Sequence, residues 1–315
     1  MKTLRSIPIS VVISAYNEEA KIADCLSSVN WADEVIVIDN SSTDKTAKIA
    51  QNKGAIVYKR PNNIMLNISK NYGFTKAKHD WVFSLDADER VSPELKDEII
   101  NRFTDDSLEL PNGYWIPRKN IIFGKWIQHS IWWPDYQLRL FMKNQGKFPE
   151  IDVHEMIEIK GSTDKLKNPL IHFNYDSITQ YIHKVDSIYT ENEANKILKS
   201  NRDLAWYEAI RMPVQDFLKT FFFQSGYKDG LHGLVLSILQ AFYAEIVFIK
   251  VWEKKGFTDY NNENFINEFL KESSKSAAEF RFWALSAHIE NTKNIGKIIY
   301  YRMLRRKVDK KIKNT

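Results

Sequence analysis

The sequence predicts an α/β protein whose mainly parallel sheet is flanked by helices and followed by a helical C-terminal region. Three observations lead to this prediction. Apolar runs alternate with helix-like segments over the first hundred residues, strand-like runs with long loops continue to about residue 176, and helical periodicity follows. At 315 residues, with 43% hydrophobic and 27% charged residues, the chain is long enough for one large domain and a smaller one.

The first hundred residues alternate between predicted strands and helices. Short continuous runs of β-branched and apolar residues predict buried strands at residues 7–14, 34–39, 55–59 and 81–85. Between them, helices are predicted at residues 18–29 and 65–78, and in a segment that Ser41 to Asp44 cap and Gly54 ends. A further helix begins at Pro93. Alternation of this kind predicts right-handed crossovers and a parallel sheet.

Residues 113–172 contain strand-like runs separated by loops rich in Trp, Pro, Gly and His. We predict strands at residues 114–119, 137–142 and 156–159, which continue the sheet in mixed orientation. The long loops are expected to form a second binding surface. Four aromatic residues are predicted either to stack on the ring of a bound sugar or base or to belong to the core: Trp126, Trp132, Trp133 and Tyr136.

Beyond residue 177 the sequence predicts helices, at residues 178–200, 204–223 and 231–254. The apolar segment 231–251 resembles a membrane span, but His232, Gln240 and Glu245 favour a packed or interfacial helix. Such a helix could equally contact a second copy of the chain, which would make the protein a homo-oligomer. Residues 297–313 combine cations with apolar side chains, which is typical either of a helix on anionic lipid headgroups or of a solvated helix.

Charge and cysteine content limit the partners and the compartment. The formal net charge is +5, which is too small a surplus to indicate nucleic-acid binding. Cys25 is the single cysteine and is expected in the core, so we predict a reducing environment. No long apolar run follows the first residues, and a secretory signal is therefore not expected. We predict a cytoplasmic protein with possible peripheral contact at the inner face of the cell membrane.

Polar and acidic residues follow three of the predicted strands, at the point where each strand ends. These residues are Tyr16, Asn17 and Glu18, then Asp39, and then Asp86 and Asp88. In parallel sheets ligands bind outside the carboxyl ends of the strands. The sequence therefore predicts a binding site at this edge of the sheet.

The Asp86-Ala87-Asp88 segment is the predicted metal site. In extended backbone, side chains two residues apart point to the same side, so both carboxylates could reach one ion. Mg²⁺ and Mn²⁺ prefer oxygen ligands and commonly share them with substrate phosphates. The alternative is that the two acids are solvated turn residues or cap the helix at Pro93.

Asp39 and Lys70 are candidates for contacts with a nucleotide. The Asp39 carboxylate could accept a hydrogen bond from the imide N–H of a pyrimidine base, or it could belong to a turn with the residues that follow it. Lys70 could pair with base, ribose or diphosphate, or it could be a surface lysine.

Three segments together resemble family 2 glycosyltransferases: VISAYNEE at residues 12–19, VIDNSSTD at residues 37–44 and FSLDADE at residues 83–89. The resemblance implies the GT-A fold, a nucleotide-diphosphate sugar donor, most simply a UDP-sugar, and an inverting mechanism. It implies further that Ala15, Tyr16, Asn17 and Glu18 line the nucleotide and that Asp39 reads uracil. In the aspartate triplet, which includes Ala87, Asp88 binds the metal and Asp86 lies against the ribose. The position of Lys70 matches a basic residue of the family.

The middle of the chain resembles one branch of that family, the lipopolysaccharide-core β-glucosyltransferases. The resemblance is carried by DYQLRLF at residues 135–141 and VHE at residues 153–155, and more loosely by LIHFNY at 170–175 and KVWE at 250–253. The Gln/Arg-x-x-Arg-Trp motif of processive members is missing. A processive polymer synthase is therefore not expected, and the glycan or glycolipid acceptor is expected to belong to surface-glycan biosynthesis.

An inverting transfer needs a base that reaches the attacking hydroxyl of the acceptor. Glu155 is the predicted base, with His154 and Asp135 as alternatives, and a second-layer salt bridge is the structural role open to Glu155. Arg139 could act beside the diphosphate or hold an anionic acceptor. His172 could complete the coordination of the metal, or it could be structural.

We predict a glycosyltransferase domain at residues 1–176, with a nucleotide-sugar half at 1–100 and an acceptor half at 101–176, and a helical region at 177–315. Two other functions fit the same fold. A sugar nucleotidyltransferase would carry a glycine-rich basic loop after the first strand, but residues 14–18 contain neither glycine nor cation. A non-catalytic glycan- or lipid-binding protein would not need the acids at all three strand ends.

Overall fold

The computed structural model describes residues 7–62, 66–105, 107, 109–151, 155–200 and 202–313. The chain divides into two compact units. The first unit comprises residues 1–126 and 132–176, and the second comprises residues 127–131 and 177–315.

The first unit contains one large sheet and a separate small sheet of two strands. The strands of both sheets are numbered in chain order. The strands in the first hundred residues are β1 Ile7–Ala15, β2 Ala32–Asp39, β3 Ile56–Lys59, β4 Trp81–Asp86 and β5 Glu89–Val91. Those that follow are β6 Gly113–Ile122, β7 Lys125–Trp126, β8 Asp135–Met142, β9 Gly146–Lys147, β10 Glu158–Ile159, β11 Thr163–Lys165 and β12 Leu170–Tyr175. Its helices are α1 Ile22–Ser28, α2 Thr46–Asn52, α3 Leu66–Lys76 and α4 Pro93–Thr104.

The strand order is β3-β2-β1-β4-β8-β6-β12-β5. Strands β1 to β4 pair in parallel, whereas β8 runs antiparallel to both β4 and β6. The predicted mainly parallel sheet of mixed orientation is confirmed. The register places Asp39 opposite Ala15 and Asp86 opposite Ser14, so the ends of three strands meet at one edge as predicted.

Both faces of the central strands are buried, because their sequences are continuous apolar runs. Ile9, Val11 and Ile13 of β1 lie in the core under α1, and Val12 lies in the core under α3. Cys25 is fully buried in the first of these cores, as predicted.

Helix α3 lies very close to the sheet because Gly73 has no side chain. A Cβ atom at this position would meet Val12 Cγ1 at 2.5 Å and Ile38 Cγ1 at 2.8 Å. Glycine inside a helix costs about 1 kcal/mol relative to alanine. Glycine is nevertheless needed here, because any side chain would collide with the sheet. The contact fixes the helix that carries Lys70.

Two local predictions are wrong and a third is confirmed in part. The first helix begins at Ile22 rather than residue 18, because residues 17–19 donate backbone hydrogen bonds to the loop after β2 and to Thr46. Of the residues predicted to cap α2, Asp44 accepts from the backbone N–H of Thr46, the first residue of the helix, whereas the N-cap residue itself is Lys45. The strand predicted at residues 156–159 is limited to 158–159, which pairs with β9 in a separate small sheet.

The second unit is helical. Its helices are α5 Ile178–Lys184, α6 Thr190–Lys199, α7 Glu208–Phe217, α8 Leu231–Lys254, α9 Phe265–Asn291 and α10 Ile295–Lys313. Wider π turns at Val185–Tyr189 and Leu218–Phe223 interrupt the two segments that were predicted as continuous helices. The predicted helix at residues 231–254 is confirmed.

Two apolar contacts hold the helices of this unit together. Val247 and Val251 of α8 pack against Ala194 and Ile197 of α6. Ala278, Leu285 and Val308 form a second cluster between α9 and α10. Arg211 of α7 and Glu272 of α9 form a bidentate ion pair, which joins these two helices.

Helix α8 is long and apolar enough to cross a membrane, and it is the one such helix within the described ranges. Only 28% of its most apolar window is buried. The core helices of soluble proteins also meet these criteria. Burial raises the pKa of Glu245 on this helix, because an apolar setting disfavours the ionised carboxylate.

Candidate active site

The loops after β1 and β2 are joined by hydrogen bonds at the carboxyl edge of the sheet. Asn17 donates its backbone N–H to Ser42 Oγ at 3.0 Å, and its Oδ1 accepts from Thr43 N at 2.8 Å. Glu19 N donates to Asp44 Oδ2, also at 3.0 Å. Asn17 has a left-handed φ of 54°, which asparagine tolerates better than most residues. The Asn-Ser-Ser-Thr-Asp segment thus joins the two loops, and its Asp44 also accepts from the first backbone N–H of α2.

Asp39 is fully buried beside these loops. Its Oδ1 accepts from Ser42 N at 3.3 Å, but within the described residues its buried Oδ2 has no hydrogen-bond partner. A buried acceptor without a partner is costly and is therefore rare. Ala15 opposite it is buried, and Tyr16, the next residue, is 42% exposed. The arrangement leaves an acceptor at the sheet edge that a ligand donor could satisfy.

Asp86 ends β4 and pairs with two cations. Its Oδ1 lies 2.6 Å from Lys70 Nζ, and its Oδ2 lies 2.8 Å from Arg139 Nη2. Burial alone would raise the pKa of Asp86, but the two cations hold it well below its usual range. Lys70 is only 8% exposed, so the alternative of a surface lysine is wrong.

Glu89 continues this ion-pair network away from Asp86. Its fully buried carboxylate accepts from Asp86 N at 3.0 Å and from Arg139 Nη2 at 2.7 Å, and lies 3.6 Å from Arg118 Nη1. Burial alone would lower the pKa of Arg139, but Glu89 and Asp86 raise it above its ordinary value. Arg139 Nε is buried without a partner among the described residues.

Asp135 ends the network at the start of β8. Its Oδ2 accepts from Arg118 Nε at 2.8 Å, and its Oδ1 accepts from Gln137 Nε2 at 2.8 Å. Burial would raise the pKa of Asp135, but Arg118 and these hydrogen bonds hold it below its ordinary value. A carboxylate in such an ion pair is a weak general base.

Asp88 faces His172 rather than sharing the partners of Asp86. The backbone turns at Ala87 and Asp88, so the premise of extended backbone through the triplet is wrong. Asp88 Oδ2 lies 3.6 Å from Nε2 of the buried His172, whose Nδ1 lies 2.6 Å from Asn120 Oδ1. In the described part of the chain, no three His, Cys, Asp or Glu residues are grouped to hold a metal.

The Glu155 carboxylate holds a loop against α3. It accepts from Asn67 Nδ2 at 3.1 Å and Glu150 N at 2.9 Å, and also from Ile151 N. Asn71, one turn further along the same helix, donates to and accepts from the backbone of residue 148. The loop therefore lies on the helix that carries Lys70. His154, the alternative base, lies outside the described residues.

The predicted aromatic loop contains several ring contacts. Trp126 meets Trp133 edge-to-face with centroids 5.4 Å apart, and Trp132 meets Tyr175 at 6.4 Å. Lys165 Nζ lies 4.5 Å from the centre of the Tyr136 ring. Stacking of these rings on an acceptor sugar stays a prediction.

Sequence reasoning missed three members of the site: Glu89, Arg118 and Asn120. Glu89 had one usable signal, since it directly follows the aspartate triplet within a quoted motif. Arg118 and Asn120 lie on a strand without any motif. Their roles depend on partners far along the chain, such as Asp135 and His172.

Comparison with known proteins identifies the family. A model of the family "Glycosyl transferase family 2" matches residues 10–184. A glycosyltransferase of Rickettsia bellii is 30% identical over 253 residues, covering 77% of this chain and 85% of that protein. A lipopolysaccharide core biosynthesis glycosyltransferase of Rhizobium meliloti is 25% identical over 256 residues, covering 79% and 93%.

Solved structures show a more distant likeness. Staphylococcus aureus TarS (residues 1–349) with UDP-GlcNAc has a TM-score of 0.43 and 16% identity, covering 81% of this chain and 93% of that one. Mycobacterium tuberculosis glucosyl-3-phosphoglycerate synthase with Mn²⁺ and UDP has a TM-score of 0.28 and 24% identity, covering 36% and 44%. These TM-scores are too low to support conclusions about this site. The family match spans more than half of the chain and includes the three strand ends that form the site. The predicted family and its GT-A-type sheet are confirmed: this chain is a glycosyltransferase of family 2.

Proposed function

We propose that the protein moves a sugar from a UDP-sugar to a glycan or glycolipid acceptor, with inversion and with the help of a divalent cation. The observation that carries the proposal is Asp39 Oδ2, a buried acceptor without a partner among the described residues, at the same sheet edge as the cations around Asp86. The similarity to a lipopolysaccharide core glycosyltransferase supports a role in lipopolysaccharide or other surface-glycan synthesis.

The nucleotide would occupy the edge between β1 and β2. Asp39 Oδ2 would accept the imide N–H of uracil, a donor that suits an unpartnered carboxylate oxygen. The loop of Ala15, Tyr16, Asn17 and Glu18 would line the base and ribose. Its hydrogen bonds to the 41–46 loop support this assignment, because they hold the loop in place before the ligand arrives.

The diphosphate would lie on the side of Asp86. Lys70 and Arg139 are the cations nearest to that strand end, and the unpartnered Arg139 Nε leaves one donor for a phosphate oxygen. Both oxygens of Asp86 already pair with these cations. We therefore assign Asp86 a contact with the ribose rather than a direct bond to the metal ion.

Asp88 and His172 would hold Mg²⁺ or Mn²⁺. Asp88 Oδ2 and His172 Nε2 are 3.6 Å apart, and a single ion about 2.1 Å from each atom spans this distance. Because these cations keep substrate oxygens and water as ligands, two protein side chains suffice. The bound ion would supply positive charge against the departing diphosphate.

Glu155 would remove the proton of the attacking hydroxyl. Inversion needs a base on the side of the sugar opposite the leaving group, and Glu155 comes from the loop that lies on α3. In this structure its carboxylate also holds that loop, so binding of the acceptor would have to replace one of these hydrogen bonds. Asp135 is the weaker candidate because Arg118 holds its pKa low.

We also propose that α10 contacts the inner face of the membrane. Its outward side carries exposed Ile295, Ile299 and Met303 on the early turns, followed by cations on the later turns. Leu304 on the same helix packs against the cluster between α9 and α10. Flotation with anionic vesicles should be lost when residues 297–315 are removed; unchanged flotation would reject this surface.

Donor hydrolysis tests the catalytic proposal. Slow release of UDP from UDP-sugars with Mn²⁺ should be measured for the native protein, Asp88→Ala and Glu155→Gln, with the exposed Asp24→Ala as a matched control. Asp88→Ala should lose hydrolysis, whereas Glu155→Gln should lose transfer and keep donor binding. If no UDP- or GDP-sugar is hydrolysed or raises the melting temperature, the proposed function is wrong.

A further inference from the structure

Asn120 is a fully buried polar residue near the C-terminal end of β6. The parallel pairing of β6 with β12 places it directly beside His172. No motif marks it, and none of the roles assigned above uses it. Its amide nevertheless contacts both ends of the candidate site.

The orientation of the Asn120 amide follows from its partners. Its Nδ2 lies 2.8 Å from the backbone oxygen of Trp132 and 3.3 Å from Asp135 Oδ2. A carbonyl oxygen and a carboxylate held ionised by Arg118 can only accept hydrogen bonds. The nitrogen must therefore face these two atoms, and Asn120 Oδ1 must face His172.

The orientation of the amide in turn fixes the proton on His172. Asn120 Oδ1 is an acceptor, and it lies 2.6 Å from His172 Nδ1. Nδ1 must therefore carry the hydrogen, so that in the neutral ring the lone pair is on Nε2. Nε2 lies 3.6 Å from Asp88 Oδ2, another acceptor. Two facing acceptors are stabilised when they share a cation.

We propose that Asn120 is the positioning residue of the metal site: it fixes the tautomer and ring orientation of His172 so that Nε2 and Asp88 present their lone pairs to one divalent cation. This inference rests on the proposed function, because it assumes that His172 and Asp88 bind the ion. Histidine ligands commonly donate their second ring N–H to such a partner, and loss of that partner typically weakens metal binding about 10–100-fold.

The inference is tested by Mn²⁺ affinity without turnover. The free Mn²⁺ signal is followed by electron paramagnetic resonance during titration of the protein with UDP present and no donor sugar. Asn120→Leu, which has a similar volume and no acceptor, should bind Mn²⁺ about 10–100-fold more weakly. Asn120→Asp keeps an oxygen facing His172 Nδ1 and should stay within about threefold of the native affinity, even if its melting temperature falls.

Two comparisons distinguish positioning from general damage. In a His172→Gln background, Asn120→Leu should cause no additional loss of Mn²⁺ affinity, because a residue that acts through His172 has nothing left to position. Asn112→Leu removes another β6-side amide, which donates to the backbone oxygen of Lys160, and should leave Mn²⁺ affinity unchanged.

Several results would overturn the inference. It fails if Asn120→Leu keeps native Mn²⁺ affinity, if the loss persists in the His172→Gln background, or if Asn120→Asp loses affinity tenfold. The last variant keeps the test decisive even if Asn120→Leu does not fold. Failure of the proposed metal site looks different: His172→Gln and Asp88→Ala would then bind Mn²⁺ as the native protein does, or the native protein would bind none.

Discussion

The two sides of the sheet edge are built in different ways. On the nucleotide side, short polar loops bond to each other, and Asp39 keeps a buried oxygen without a partner among the described residues. On the other side, buried and half-buried charges alternate in sign from Lys70 through Asp86, Arg139, Glu89 and Arg118 to Asp135, and each has an opposite neighbour. The first side keeps a buried acceptor unpaired at a cost in stability, whereas the second side pairs its own charges with each other. Mutations on the two sides should therefore have opposite effects on stability.

The largest effect is expected for Arg139→Met. This change leaves the fully buried Glu89 without its nearest cation, and breaking a buried ion pair from one side costs about 3–5 kcal/mol. Urea denaturation of the native and variant proteins measures the loss. Adding Glu89→Gln should restore part of it, and a lack of any restoration would show that the network does not act as a unit.

A smaller effect of a different kind is expected for Asp39→Asn. The amide would turn an N–H towards the uracil imide, so UDP affinity should fall about 10–100-fold, or about 1.4–2.7 kcal/mol. The free energy of unfolding should stay the same or rise, because a buried charge with an unpartnered oxygen has been removed. Calorimetric titration with UDP and CDP measures the first quantity. Equal losses for both nucleotides would contradict the base contact, because N3 of cytosine is an acceptor.

The smallest effect is expected for Asp135→Asn, and it should depend on pH. The folded-state pKa of Asp135 lies below its ordinary value, so the ionised carboxylate stabilises the fold above the unfolded-state pKa of about 3.9. That stabilisation is lost as the pH falls through the lower folded-state value. The variant should be less stable by about 1 kcal/mol at pH 7, and the difference should shrink below about pH 4. Melting curves from pH 3 to 7 follow it; a constant difference would contradict the prediction.

The sequence predicts the nucleotide side better than the ion-pair side because the first is local. Strand ends follow from apolar runs, and the pairing of parallel strands brings Asp39 and Asp86 to one edge. The partners of Arg139 are about fifty residues away, and only the register of β4 and β8 brings them together. The local sequence around each residue does not indicate ion pairs between residues so far apart in the chain.

A turn in the backbone explains why the prediction for Asp86 and Asp88 differs from the structure. The prediction that Asp86 and Asp88 face one ion assumed extended backbone, but the chain turns after Asp86, and the two acids have different partners. Asn120 lacks any local signal, because its role depends on the pairing of β6 with β12. The assignments of Glu155, Asp135 and the metal ligands stay predictions until the variants are measured.

Helix α3, which packs closely on the sheet at Gly73, contributes to two parts of the proposed site. The same helix carries the cation beside Asp86 and the two asparagines that hold the loop of Glu155. A displacement of this helix would therefore move Lys70 and the loop of Glu155, the proposed base, together. Any residue larger than glycine at position 73 would thus disturb both of these proposed contacts from a position outside the proposed site.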